Sequence, residues 1–352
     1  MLALFRKNES LRIFAISGLI TIGALIGVYG YLGWQAAFVT LVLIVIEITF
    51  SFENAIINAR ILSTMNNFWQ KMFLTVGIVI AVFGMRIIFP IIVVVLTAKL
   101  PWSNVIELAL NEPDKYAHAL ELAQPSIAAF GGMFLLMLCL HFFFDPSRQV
   151  RWINIIERPL QHVGKWWLYA AICLVLLITI SAVPFNTHPR QTLLYGFIGI
   201  ITYLAIHALA ELFTDKQEKN ENKNTQSVKK AGIAGLTAFL YLEILDASFS
   251  FDGVIGAFAV TKDVVLIAIG LGVGALWVRS MTLFMVRKNI LQAYRYLEHG
   301  AHYTIGVLAL LLLVGLFRNI PEVMAGAIGV VIISASIASS VREAKTVKTV
   351  VS

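Results

Sequence analysis

Apolar runs near twenty residues long recur from one end of this chain to the other, and no other feature limits its fold as much. A helix needs roughly 20 apolar residues to cross the hydrocarbon core of a bilayer. Candidate spans fall at 12–33, 36–59, 72–98, 127–144, 167–184, 192–213, 232–259, 264–286, 302–317 and 320–341. Repeated spans of this length must be helical, because backbone polar groups find no water in lipid and must bond to one another. Composition agrees. Of 352 residues, 59% are hydrophobic and 13% charged, where soluble domains carry about 25% charged residues. The expected fold class is an all-α polytopic membrane protein with ten transmembrane helices, embedded in the lipid bilayer.

The formal net charge is +7. In a soluble chain that surplus would suggest a nucleic-acid partner. Here its distribution points to membrane orientation instead, since Lys and Arg concentrate in cytoplasmic loops. With the N-terminus inside, the outer loops hold Lys99, Lys115, Arg190, Lys262 and Arg318. Arg86 and Arg279 fall within spans, and the remaining twenty of the 27 basic residues lie inside. The expectation is a multi-pass protein of the cell (inner) membrane with both termini cytoplasmic and no nucleic-acid partner. Arg6, Lys7 and Arg12 precede the first apolar run as they would in a signal peptide. That run continues through Trp34 with no small-residue cleavage site, so it reads as the first span. Cys139 and Cys173 sit alone in apolar runs, which supports neither a disulfide framework nor a thiolate site. Residues 99–126 read as a short amphipathic piece outside, and 214–230 as a solvated polar linker inside.

Acid interrupts two of the apolar runs. Residues 47–55 read EITFSFENA and residues 243–253 read EILDASFSFDG. Aligning FSFE at 50–53 with FSFD at 249–252 sets Glu47 against Asp246 and Glu53 against Asp252. In each half the next span holds one arginine, Arg86 in GMRIIF and Arg279 in WVRSMTLF. A Gly/Leu-rich span follows in both, at 131–140 and 306–315. The order predicts two repeats of five helices. An odd number of spans makes the second copy enter from the opposite side, an inverted repeat with its site near the midplane. The first repeat occupies 12–184. The segment 185–231 holds the sixth helix (192–213) and the linker, and the rest of the second repeat occupies 232–341.

A carboxylate at the bilayer centre costs about 2.5–3.5 kcal/mol on insertion scales. Glu47, Glu53, Glu243, Asp246 and Asp252 are five such groups, and Arg86 and Arg279 can neutralise at most two. The remainder call for a cation or for protons. At about 100° per residue, Glu47 and Glu53 lie on different helix faces and meet at one site only if the helix unwinds near Phe50–Phe52. Gly253 and Gly256 would ease a matching break in the second copy. The predicted ligands are Glu47, Ser51, Glu53, Asn54, Asp246, Ser250 and Asp252, with Arg86, Arg279 and Glu243 as supporting counter-charge. The seven ligands are all hard oxygen donors, which suit Mn²⁺, Mg²⁺ or Ca²⁺ over Cu(I) or Zn²⁺. Met65 and Met85 read as packing. His207 with Glu211, and His141 with Asp145, lie one turn apart at span ends, where proton relay and interfacial snorkelling both remain open. No nucleophile–base pair or metal-triad motif appears, so no enzymatic activity and no resident cofactor are expected.

EITFSFENA, the arginine span after it and the echo DASFSFDG resemble the TerC family of integral membrane proteins over roughly 36–317. The resemblance implies kinship with LysE-type transporters and a link to manganese export. It assigns the family's acidic-motif roles to Glu47, Glu53, Asn54, Asp246 and Asp252. This chain departs from the usual pattern in having Glu at the first acidic position and Gly253 after the last. The expected function is a secondary transporter exporting a divalent cation, Mn²⁺ by resemblance, with protons as an available exchange ion. The alternatives are a membrane protein assembly or insertion factor without ion flux, and an exporter of small amino compounds. A homo-oligomer is compatible with all three.

Overall fold

A computed structural model describes residues 9–220, 232–318, 320 and 322–351, and among them every regular element is a helix. In chain order these are α1 (Glu9–Phe50), α2 (Phe52–Ser63), α3 (Asn67–Val79), a π-helical segment (Ile80–Ile88), α4 (Phe89–Ala98), α5 (Trp102–Asn111) and α6 (Pro113–Phe144). There follow α7 (Asn154–His162), α8 (Trp166–Ala182), α9 (Pro189–Asn220), α10 (Gly232–Val260), α11 (Val264–Arg287), α12 (Ile290–Ala293), α13 (Leu297–Gly315) and α14 (Glu322–Val351). Eight stretches are long and apolar enough to cross a membrane, or nine if the bent pair α7 and α8 forms one span. This is the helix set of a multi-pass membrane protein. Its outward side chains fit that setting: Ile16, Leu19, Val175 and Val331 are all exposed, a pattern that water would penalise and lipid does not.

The observed helices depart from the ten expected spans in several places: α6 begins at Pro113, so half of the piece expected outside at 99–126 belongs to the same helix as the span 127–144. The run 12–33 and most of the run 36–59 fall in α1, whose 42 residues are two helical stretches meeting at a kink. At 1.5 Å per residue that is about 63 Å, near twice the hydrocarbon thickness. Gly33 divides it, with φ 84° and ψ −179°. That region is essentially closed to residues bearing a Cβ. The run 167–184 is α8, only 17 residues long and bent by 108° from α7.

Both acidic helices were expected to break, and one does. α1 ends at Phe50, Ser51 leaves helical geometry at φ −104° and ψ 17°, and α2 begins at Phe52. The second acidic helix departs from the expectation, since α10 runs without interruption from Gly232 to Val260. Its glycines serve close approach instead: a Cβ on Gly253 would stand 3.2 Å from Glu47 Oε2. A lone glycine in a helix costs only about 0.5–1 kcal/mol, too little to break it. The arginine span 72–98 is also interrupted. Pro90 cannot donate to the carbonyl of Arg86, and the ladder upstream widens into the π-helical segment that carries Arg86.

The protein forms two compact units, Met1–Ala123 with Lys223–Lys288, and Gln124–Asn222 with Asn289–Ser352. Each unit draws on both sequence halves, so neither coincides with the segments 12–184, 185–231 or 232–341. The first unit holds both acidic helices and both arginine helices. Of the linker 214–230, α9 takes in the part up to Asn220, and 221–230 lie outside the described residues.

Candidate functional site

In the first unit, α1 and α11 pack with their backbones close. A Cβ on Gly270 would fall 2.5 Å from Leu43 Cβ, and one on Gly274 would fall 2.5 Å from Glu47 Cβ. Leu43 and Glu47 are one turn apart, as are Gly270 and Gly274, so bare backbone on α11 receives two successive side chains of α1. Small residues four apart are how helices approach closely in lipid, where no hydrophobic force drives them together. Hydrogen bonds join the same pair of helices beyond Gly33. Ser17 Oγ donates to the Leu276 carbonyl at 3.2 Å, and Trp277 Nε1 donates to Thr21 Oγ1 at 2.8 Å.

Glu47 is thereby held against Arg86. The Arg86 guanidinium donates through Nη2 to Glu47 Oε1 and through Nη1 to Ser250 Oγ on α10. Ser51, at the helix break, donates its hydroxyl to the same Glu47 oxygen at 3.1 Å. A second cluster repeats this logic. Arg279 Nη2 lies 3.2 Å from both oxygens of Glu243 and 3.4 Å from Asp246 Oδ2. Its Nη1 donates to the Phe73 carbonyl at 2.9 Å, and the guanidinium stacks 4.1 Å from the Phe73 ring centroid. Gly77, one turn beyond Phe73, leaves room for this arrangement, since a Cβ there would collide with Arg279 Nη1 and stand 2.7 Å from Glu243 Oε1. In each cluster the arginine pairs with an acid of its own sequence half and reaches across to a helix of the other.

All these groups are buried, and the charge does not balance. Glu47, Glu53, Glu243 and Asp246 are four buried carboxylates of the first unit, facing the two guanidiniums of Arg86 and Arg279. The ion pairs of both arginines go to Glu47, Glu243 and Asp246 and not to Glu53. Glu53 and Asn54 occupy the first turn of α2, just past the Ser51 break, where the amide end of the helix favours negative charge. Asn54 Oδ1 is buried and accepts no hydrogen bond among the described residues, and Arg86 Nε is likewise unmatched. A buried polar atom left unmatched costs about 1–3 kcal/mol.

The predicted ligands are therefore distributed over two ion-paired clusters and one unpaired remainder. Glu47, Ser51 and Ser250 meet at Arg86, Asp246 and Glu243 meet at Arg279, and Glu53 and Asn54 stand apart from both. The Asp252 side chain lies outside the described residues. Among the described residues, no three His, Cys, Asp or Glu side chains converge as they would around a metal ion. Gly77, Gly270, Gly274 and the Phe73 carbonyl escaped the reading of the sequence. The run GLGVG at 270–274 was the available signal for two of them.

The histidine pairs sit in the second unit. His207 Nε2 lies 3.1 Å from Glu211 Oε1, as the one-turn spacing suggested. His141 turns away from Asp145, sharing a 2.5 Å hydrogen bond with Tyr203 Oη and lying edge-on to His207 at 4.3 Å between ring centres. Asp145 instead accepts from the Ser147 amide and pairs with Arg148.

A family model described as protein of unknown function (DUF475) matches residues 52–347. The chain belongs to the DUF475 family. The matched DUF475 region begins at the break before Glu53 and takes in Arg86 and the whole of the second acidic motif, whereas Glu47 lies ahead of it. Neither the curated proteins nor the solved structures gave a match.

Proposed function

We propose that the protein is a secondary transporter for a divalent cation, most simply Mn²⁺, with its site among the buried acids of the first unit. The observation that carries this reading is the excess of carboxylate: four buried acids facing two arginines, with Glu53 outside the ion pairs of both arginines and the Asn54 oxygen left unmatched beside the Ser51 break. Buried charge of that kind persists where it has a function to serve. Arg86 and Arg279 act as resident counter-ions of these acids. An arriving divalent ion takes Glu53 and Asn54 first, then displaces the Arg86 guanidinium from Glu47. Protons supply the exchange charge on the same acids. The two acidic motifs in opposed copies, each followed by an arginine span, support an inverted repeat around this site. The hard-oxygen donor set and the resemblance to the TerC family both favour Mn²⁺, and export is the direction that the resemblance implies.

Binding tests this directly. Purified protein titrated with Mn²⁺ should bind the ion, and Glu53→Gln should weaken binding at least tenfold. Undiminished affinity in a chain carrying both Glu47→Gln and Glu53→Gln would refute the site. A second reading draws on the ion pairs themselves. Arginines already engage three of the four buried acids, an arrangement that also suits a protein assembly or insertion factor with no ion flux. That reading predicts no Mn²⁺ binding by any form of the chain.

A further inference from the structure

The helix α7 is inside out. Its apolar side chains face outward: Ile155 is 90% exposed, Ile156 45% and Val163, just past its end, 52%. Two of its polar side chains face inward, with Glu157 fully buried and Gln161 at 7%. Glu157 has ample reason to point that way. It accepts from the Trp152 and Ile153 amides and from the Tyr303 hydroxyl, at 3.0–3.1 Å. Three donors fix the rotation of the helix, and that rotation leaves the isoleucines outside. In water the exposed face would be a standing liability. On a membrane protein it has an obvious solvent.

The charges beside that face narrow the choice of occupant. At 100° per residue, Arg158 and His162 flank the apolar stripe on one side, both exposed. Together with Arg151, Pro146, Pro159 and Gln161 they line a hollow of about 550 Å³. Gln161 Oε1 receives Arg151 Nε at 2.5 Å, so that guanidinium is oriented from behind. The one acid of the helix, Glu157, is spent inward on its three donors. α8 turns away from α7 by 108°, and half-exposed Trp167 stands at its start. A short helix lying across the start of a span, with an aromatic residue at the corner, is the arrangement of a segment seated in the membrane interface.

We propose that α7 and the Arg151–Arg158–His162 hollow form a binding site for an anionic phospholipid. The headgroup phosphate sits against the two guanidiniums, and the acyl chains cover Ile155, Ile156 and Val163. Two arginines match a phosphate through paired N–H donors, and juxtamembrane basic groups draw anionic lipid to the surface. The site lies wholly in the second unit and does not depend on the transport reading.

The test uses the full-length chain, delipidated in detergent and offered phosphatidylglycerol or phosphatidylcholine, with retained lipid counted by native mass spectrometry. The wild-type chain should retain phosphatidylglycerol several-fold over phosphatidylcholine. Arg151→Gln with Arg158→Gln should bring retention of the two lipids close to equal. Ile155→Asn with Ile156→Asn should lower retention of both lipids. Millimolar inorganic phosphate should not displace the lipid. Elution volume and melting midpoint establish that each variant is folded. Should the double arginine variant fail that check, Arg158→Gln alone is read in its place, because that side chain is exposed. A wild-type preference in the arginine variants would overturn the proposal. So would displacement by phosphate, which would mark the hollow as a free-anion site.

Discussion

Removing charge from Arg86 and from Glu53 should have opposite consequences, although the two residues belong to one site. Arg86→Met leaves the Glu47 carboxylate buried without its cation. Breaking a buried pair in this way costs about 3–5 kcal/mol, so the melting midpoint in detergent should fall sharply. Adding Glu47→Gln to the same chain should recover most of the loss, since the stranded charge is then gone. Glu53→Gln takes no partner from either arginine. It should leave the midpoint unchanged or higher while removing ion binding. Equal destabilisation by Glu53→Gln and Arg86→Met would contradict the division between paired and unpaired acids. The acids, the arginines and their order along the chain were all legible as residues. Which acid meets which arginine was not, because pairing depends on helix rotation, and the π-helical segment that turns Arg86 toward Glu47 leaves only Pro90 as a trace in the sequence.

Among elements, the breaks and close approaches carry the argument. Gly33→Ala forces a Cβ into a conformation that costs of order 1–3 kcal/mol, and a lowered melting midpoint should report it. Gly274→Ala acts elsewhere. Its Cβ would stand 2.5 Å from Glu47 Cβ, and crowding of this sort costs typically about 1–3 kcal/mol. It should also shift Glu47 against Arg86, so ion binding should weaken together with stability. Gly315→Ala, which meets nothing within 4 Å, is the control and should change neither. The break at Ser51 could be anticipated because Glu47 and Glu53 cannot share a face on a continuous helix. The same reasoning failed for α10. A glycine inside a helix signals either a break or a close neighbour, and nothing in the chain around Gly253 distinguishes the two. The long helices themselves were plain in the apolar runs, and the corner at Gly33 in α1 falls where the runs 12–33 and 36–59 were expected to part.

For the whole molecule, the two compact units are assembled from both sequence halves, with both acidic motifs and both arginines gathered in the first. No reading of composition or span order could reveal that interleaving, because it is a property of helix packing. It gathers the four buried acids of the two motifs in one body, and the account stands on that gathering. Mn²⁺ entry into liposomes carrying the purified protein, followed with a trapped metal-sensitive dye, tests it most directly. The wild-type chain should move Mn²⁺ well above empty liposomes, and Glu53→Gln, folded and reconstituted to the same density, should fall to that background. Wild-type flux in Glu53→Gln, or no flux from the wild-type chain, would contradict the account.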